Sequence, residues 1–313
     1  MLAFAPIDPR HDRWPMSIFR TDIWRTGVVR APIAAIRDVG SLASFSIRWL
    51  PNPGSFRFLA DPFGLWRDGK LHVFVEHYDY RTRKGIVNLL VLNENLDVLE
   101  QGTVLSEPWH LSYPFVFEAG GETWMLPEAH RSGRLTLYRA RRFPWTWEPV
   151  PEFLFPCAAI DATPVRVKDG WWMFYAPPFP KTERTTALRM ARADSLMGPW
   201  EDMFPLPVRL DVGSSRLGGT PIVEKDSMTL PMQDCRDTYG GAVQLLRLSL
   251  PLADRPSFMM GPRLTAPFSA SPFVEGMHTL SSAGDVTLID TKQIVRNAPR
   301  RLLMDVRHRL SRI

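Results

Sequence analysis

Two aspartates, Asp61 and Asp161, stand at one phase of a repeated pattern, in Ala60-Asp61-Pro62-Phe63 and Asp161-Ala162-Thr163-Pro164-Val165. Carboxylates spaced across one pocket suit glycosyl chemistry, where one removes a proton and another donates one or stabilises charge. An aspartate before proline also caps turns, so the shared phase of the two carries the reading. A second acidic row closes the following strands: Glu76, Glu128, Gln233-Asp234 and Asp290. Glu128 follows Leu126-Pro127 and Asp234 follows Pro231-Met232-Gln233, where burial would lift a carboxyl toward a general acid's range. The alternative for both is a rim carboxylate paired with Arg134, Arg139 or Arg236. Trp109-His110-Leu111-Ser112-Tyr113-Pro114 puts an aromatic, an imidazole, a hydroxyl and a phenol together, a set suited to sugar rings with apolar faces and hydroxylated edges. His110 fits a structural histidine equally well. The densest polar stretch, 233–241, offers Asp234, Arg236 and Tyr239 to a pocket, or a local Asp234–Arg236 ion pair. His278 completes the candidates.

The elements that must position these residues repeat. Five stretches each read as a short strand, a tight polar turn and a second strand, beginning near 60, 112, 161, 219 and 277. Their anchor prolines, 62, 114, 164 and 221, are 52, 50 and 57 residues apart. A repeat of this length predicts four-stranded sheet units around an axis. The expected class is all-β: a five-bladed β-propeller with a short C-terminal helix. Residues 1–56 form an N-terminal segment whose 22–30 stretch has strand composition and would close the ring, hiding open edges; 31–56 reads as a connector. The propeller spans 57–298, with outer strands at 86–92, 96–105, 135–139, 187–191 and 243–250. Inner strands would point Asp61, Ser112 or Tyr113, Asp161 to Thr163, Gly219 or Thr220, and Met277 or His278 at one pocket. Over 299–313, Leu303, Val306, Leu310 and Ile313 recur at helical spacing opposite five arginines, a basic amphipathic helix. It would strap the propeller or meet an anionic membrane surface.

Composition narrows the classes. The 313 residues carry a formal net charge of +5 with no basic block resembling a nucleic-acid arm, so nucleic-acid binding is not expected. The 29 prolines are spread along the chain, marking turns rather than a disordered tract. Cys157 and Cys235, the only cysteines, sit in different repeats and read as reduced thiols. Asp8, Arg10, Asp12 and Arg13 stand where a signal peptide's apolar core would lie, and no run of 18 apolar residues occurs. A cytoplasmic protein, peripheral at the inner membrane face, is the expectation. There is no Gly-x-Ser-x-Gly, phosphate-binding glycine loop, dinucleotide fingerprint, His-Glu-x-x-His or Asp-x-Asp, and the Cys and His spacing offers no metal site.

Residues 110–117, Met125-Leu126-Pro127-Glu128 and 135–140 resemble the N-terminal domain of plant glucosamine inositolphosphorylceramide transferases. Ala60-Asp61-Pro62-Phe63, Gln233-Asp234-Cys235, Thr238-Tyr239-Gly240 and the His278 strand extend the resemblance, which runs in order over about residues 57–292. It implies the five-bladed propeller of glycoside hydrolase family 43 and its relatives. By the same resemblance Asp61 matches a general base and Asp161 a carboxylate that tunes its pKa. Gly218-Gly219-Thr220 stands where the hydrolases' acidic Glu would be, leaving Glu128 or Asp234 as substitutes. The plant proteins' transfer is attributed to a separate C-terminal domain. The expected function is a carbohydrate-active enzyme, a glycosyltransferase in surface glycolipid or polysaccharide biosynthesis, with Asp61, Asp161, Glu128 and Asp234 as catalytic carboxylates. His110, Ser112, Tyr113, Arg236, Tyr239 and His278 would bind a saccharide or glycolipid and a nucleotide-sugar donor. The alternatives are a non-catalytic glycan-binding propeller serving a partner enzyme and a family 43 type glycosidase. No cofactor is expected, beyond room for a channel ion near His278.

Overall fold

The computed structural model describes residues 20–168, 170–252 and 256–296, with 299, 302 and 304. The chain is a five-bladed β-propeller of antiparallel sheets. Blade one is β3 (Arg57–Arg67), β4 (Lys70–Asp79), β5 (Lys84–Leu92) and β6 (Val98–Leu105). Blade two is β7 (Ser112–Ala119), β8 (Glu122–Glu128), β9 (Tyr138–Arg142) and β10 (Thr146–Pro149). Blade three is β11 (Ile160–Val167), β12 (Gly170–Ala176), β13 (Ala187–Ala193) and β14 (Glu201–Asp202), with β15 (Arg209–Leu210) also on β13. In blade four the inner strand is split into β16 (Arg216–Leu217) and β17 (Ile222–Val223), followed by β18 (Ser227–Asp234), β19 (Ala242–Ser249) and β20 (Phe258–Leu264). Blade five takes only β21 (Leu280–Ala283) and β22 (Val286–Val295) from the end of the chain. Its outer strands are β1 (Thr21–Val29) and β2 (Ile47–Trp49).

The ring is therefore closed by main-chain hydrogen bonds between the two ends of the fold, with Thr21 opposite Val295 and Val29 opposite Thr287. The 31–56 segment is more than a connector: it holds α1 (Ile33–Val39) and β2. Ile33 and Ile36 of α1 are buried against Val243, Leu245 and Leu280. The helix expected over 299–313 lies outside the described residues apart from 299, 302 and 304, which are helical.

Burial explains the strand sequences. Second strands are covered on both faces by neighbouring blades, so Leu71, Val73, Phe74 and Val75 run on without polar alternation, all fully buried. The outermost strand β6, Val-Leu-Glu-Gln-Gly-Thr-Val-Leu, instead exposes Glu100, Gln101 and Thr103 and buries only Leu105. Between blades, Phe63, Phe115, Val165, Trp172 and Leu230 interlock in one cluster; each such side chain contributes roughly 1.5–3 kcal/mol on burial. The Asp68-Gly69 turn has φ of 52° and 68° and joins β3 to β4 with Arg67 opposite Lys70, the doubly positive geometry that matches strand twist.

Candidate active site

Three inner strands share one irregularity. Each is bulged against its partner, between Ala60 and Phe63, Ser112 and Phe115, and Ile160 and Thr163. Within the bulges Asp61, Tyr113 and Asp161 adopt φ of 47°, 45° and 48°. A left-handed non-glycine residue costs roughly 1–3 kcal/mol, and a bulge re-aims its side chain. The true repeat phase is thus 61, 113 and 161. Pro62 and Pro114 follow the strained residue, but its follower in blade three is Ala162, and Pro164 lies two positions beyond the phase of the other anchors.

The re-aimed side chains meet at the axis. Asp61 Oδ2 accepts the Tyr113 N–H at 3.2 Å, and Oδ1 accepts the Thr279 hydroxyl at 3.1 Å. Asp290, in the middle of β22, accepts the backbone N–H groups of Asp61, His278 and Thr279, each at 3.0 Å, and holds His278 Nδ1 at 2.7 Å. His278 stacks on Trp24 at a centroid distance of 3.8 Å, so the closing strand β1 also shapes the site. Asp161 Oδ2 accepts Arg216 Nε at 2.6 Å and Gln233 Nε2 at 2.9 Å.

The Tyr113 ring crosses the axis. Its hydroxyl meets Thr163 Oγ1 at 2.9 Å, accepts the Gly219 N–H at 3.1 Å and lies 3.2 Å from the Gly219 carbonyl. Gly219 has φ of 142°, and a Cβ placed on it would stand 1.8 Å from the Leu280 carbonyl oxygen. Blades four and five touch there through backbone, in a parallel bridge between Gly219 and Leu280. No side chain fits, which is the physical reason a carboxylate is missing at this point.

The second acidic row divides. Glu76 lies opposite Ala60 and Glu128 opposite Ser112, and both feel the charges of the axial group. Burial raises Glu76 well above the usual carboxyl range, and Asp61, Glu128, Asp290 and Asp161 push it further. Glu128 goes the other way. Burial would raise it, but His130 Nδ1 at 2.5 Å, the His130 N–H at 2.7 Å and the Ser112 hydroxyl at 2.9 Å hold its oxygens, and its carboxyl falls to about 2. The expectation of a raised Glu128 is corrected: its partner is a histidine two residues on, not an arginine. Asp61 is buried at 7% exposure. Burial raises it, His278 draws it back, Asp290 and Asp161 raise it, and it settles at about 6. Burial raises Asp161 too, against Arg216. His278 is lowered by burial but raised more by Asp290 and Asp61.

Asp234 is separate from this group. It bonds Arg236 Nη2 at 2.8 Å and Arg263 Nε at 2.6 Å, and despite burial these guanidiniums pull it to about 2. The local ion pair weighed from sequence is what forms, so Arg236 is committed to Asp234. Gln233, one position earlier on the opposite face of β18, is the residue that reaches the axis. His110 accepts the Gly85 N–H on Nδ1 at 2.8 Å and places Nε2 3.6 Å from Glu76. Tyr239 lies beside His278, ring centroids 5.7 Å apart, and beside Arg216. Sequence reasoning placed Glu76 in the same row as Glu128 but did not carry it into the catalytic set. It also missed Arg216, which no motif marks.

Asp61, His278 and Asp290 offer three ligand atoms within 4.8 Å of one another, the place where a channel ion is expected. All three are engaged in protein hydrogen bonds here. Asp290 already accepts four protein donors, and Nδ1 of His278 is one of them. A cation would have to displace that proton and the Thr279 hydroxyl on Asp61.

Among solved structures the fold is similar to a glycoside hydrolase family 43 enzyme from Xanthomonas citri, with a TM-score of 0.52 and 14% identity over 77% of this chain and 90% of that one. It is also similar to the catalytic domain of the Coprinopsis cinerea GH62 alpha-L-arabinofuranosidase, with a TM-score of 0.55 and 12% identity over 75% and 81%. At such identity the likeness is one of fold. Among curated proteins, glucosamine inositolphosphorylceramide transferase 1 of Oryza sativa subsp. indica is 34% identical over 207 residues, 63% of this chain and 27% of the rice protein. Its Arabidopsis thaliana counterpart is 28% identical over 234 residues, 73% and 30%. The chain thus spans under a third of the length of these relatives. The family profile described as glucosamine inositolphosphorylceramide transferase 1, N-terminal, matches residues 21–255, from the ring-closing strand to the third strand layer of blade four, β19, and the chain belongs to that family.

Proposed function

We propose that the axial pocket binds the polyol or sugar part of a glycolipid or related saccharide and supports glycosyl transfer in surface glycolipid or polysaccharide assembly, at the cytoplasmic membrane face, from a nucleotide-sugar donor. The observation that carries this reading is the set of three strained bulges, which turn Asp61, Tyr113 and Asp161 to one point. Backbone strain kept at equivalent positions of separate blades is what a functional constellation requires. The protonation states suit the chemistry. At neutral pH Asp61, at about 6, is largely ionised and can take the proton of an acceptor hydroxyl. Burial and the neighbouring carboxylates raise Glu76 well above the usual carboxyl range, which suits it to donate a proton to a leaving oxygen. Asp161, gripped by Arg216 and Gln233, would hold the pocket's charge steady. His110, Tyr239 and Ser112 line the approach.

A lipid-borne substrate is supported by the surface around the pocket. The loop after β12 exposes Phe179 at 75%, and the loop between β20 and His278 exposes Phe268 at 88%. Both loops leave the pocket ends of their strands, and exposed aromatics beside a site suit an interfacial contact.

The second reading is a binding propeller that presents substrate to another catalytic domain. It is favoured by the 27% and 30% coverage of the plant transferases and by the absence of an acid at Gly219. A donor-and-acceptor screen with Asp61→Asn as control separates the two. Product formation lost in Asp61→Asn is the expected result. Saturable saccharide binding without product from any donor would move the assignment to the binding reading, and neither binding nor product would end both.

A further inference from the structure

The axial group is polarised: the carboxylates Asp61, Asp161 and Asp290 are buried, whereas the basic His110, His130, Arg131 and Arg216 keep some exposure and form its lip. Resting on the saccharide reading above, we propose that this lip is a phosphate site, built on Arg216 with His110, His130 and Arg131, which takes the phosphate attached to the bound sugar or polyol. Arg216 is the centre of the argument. Its Nε is fixed on Asp161 at 2.6 Å, and its guanidinium lies 5.4 Å from the Tyr239 ring centroid. The side chain is 14% exposed. Among the described residues no acceptor is bonded to Nη1 or Nη2. A guanidinium locked on one edge and open on the other is a pre-organised fork, and it loses little freedom when it grips an anion.

The other donors come from different blades. Gly85 donates to His110 Nδ1, so the neutral ring carries its proton on Nε2. That nitrogen stands over Glu76 at 3.6 Å. Burial, then Arg131, His130 and Arg216, lower His110's proton affinity against the pull of Glu128; these cationic and imidazole groups therefore crowd one small region. Arg184, from the loop after β12, adds a guanidinium 3.4 Å from His130 Nε2. Guanidiniums from blades two, three and four (Arg131, Arg184 and Arg216), with His130 held between Glu128 and Arg184, match a tetrahedral anion with several oxygens. A planar carboxylate would engage the Arg216 fork alone. The ligand's uncharged ring would then lie toward the floor, away from the ionised carboxylates' repulsion of its phosphate.

Two phosphate sources share this chemistry, a lipid headgroup and a nucleotide donor. Calorimetric titration of the full chain with myo-inositol 1-phosphate against myo-inositol, and with UDP against uridine, separates them. At least one phosphorylated member should bind roughly tenfold or more tighter than its partner, as charge-assisted hydrogen bonds would give, and added salt should erode the preference. Preference within the inositol pair assigns the headgroup, and preference within the uridine pair assigns the donor. Arg216→Lys keeps a charge beside Asp161 but loses the fork, and should cut the preference about tenfold. Arg131→Ala, at an exposed position, should cut it about two- to threefold with an unchanged melting temperature, which keeps the test open if the Arg216 variant does not fold. Equal affinity within both pairs, or a preference untouched by both variants, overturns the proposal. Phosphate preference without turnover from any donor would leave this site standing and remove the transfer reading instead.

Discussion

Glu128→Gln removes a charge from the axial pocket while keeping the shape of the side chain, and the structure sets the size of the effect. Three protein donors hold the wild-type carboxylate at about 2 against an ordinary 4.5. A carboxyl depressed in the folded state stabilises the fold above its unfolded value and loses that contribution as pH falls toward the folded one. The difference corresponds to about 3 kcal/mol at neutral pH. Glutamine keeps one acceptor oxygen, so the expected loss at pH 7 is about 2–3 kcal/mol, a large part of a domain's typical 5–15 kcal/mol. Urea unfolding of wild type and variant, repeated as the pH is lowered, reads it directly. By pH 3.5 the gap should shrink by roughly 1.4 kcal/mol, because the wild type is then spending its advantage on protonation of the unfolded chain. A gap below about 1 kcal/mol at pH 7, or one that stays constant between pH 7 and 3.5, would refute the reasoning that His130 keeps Glu128 ionised. It would also return Glu128 to the list of general acids.

Gly219→Ala should destabilise by about 3 kcal/mol or more, from left-handed strain and a Cβ pressed on the Leu280 carbonyl; a urea midpoint near wild type would show that blades four and five can part. By the same contact, Gly219→Glu will not install a working acid, and a gain of hydrolysis in that variant would contradict the axial geometry. With a substrate in hand, turnover should rise with pH through about 6 as Asp61 loses its proton, and a flat profile across that window would remove Asp61 as the base.

Much of the site was legible because the repeat is covalent. Asp61, Tyr113 and Asp161 recur at 52- and 48-residue steps, and any propeller built on that repeat must bring their strands to the axis. Proline spacing misplaced the third unit by two residues, since Pro164 sits beyond the bulge whereas Pro62 and Pro114 sit within it. Asp234 was a fair candidate on local grounds. It follows an apolar run as Glu128 does, yet its strand turns Gln233 inward and Asp234 toward Arg263, a residue 29 positions away. Period-two alternation makes such a choice depend on register, and register is set by pairing with β16 and β19 rather than by the neighbours in sequence.

The sequence by itself determined the class of fold, the five units, the closing role of the first strand's segment and the acidic character of the axial pocket, because strand period, turn chemistry and repeat length are local properties. Only the tertiary structure decided which way each carboxyl's proton affinity moves. Glu76 and Glu128 are equivalent in the repeat, and they diverge because Glu76 is buried among like charges whereas Glu128 meets His130 and Ser112. The same holds for Arg216, ordinary as a letter at the start of blade four, which becomes a fixed fork because Asp161 reaches it from 55 residues away. Proton affinity and ligand geometry depend on what burial places within a few ångströms, and that is a property of the closed ring.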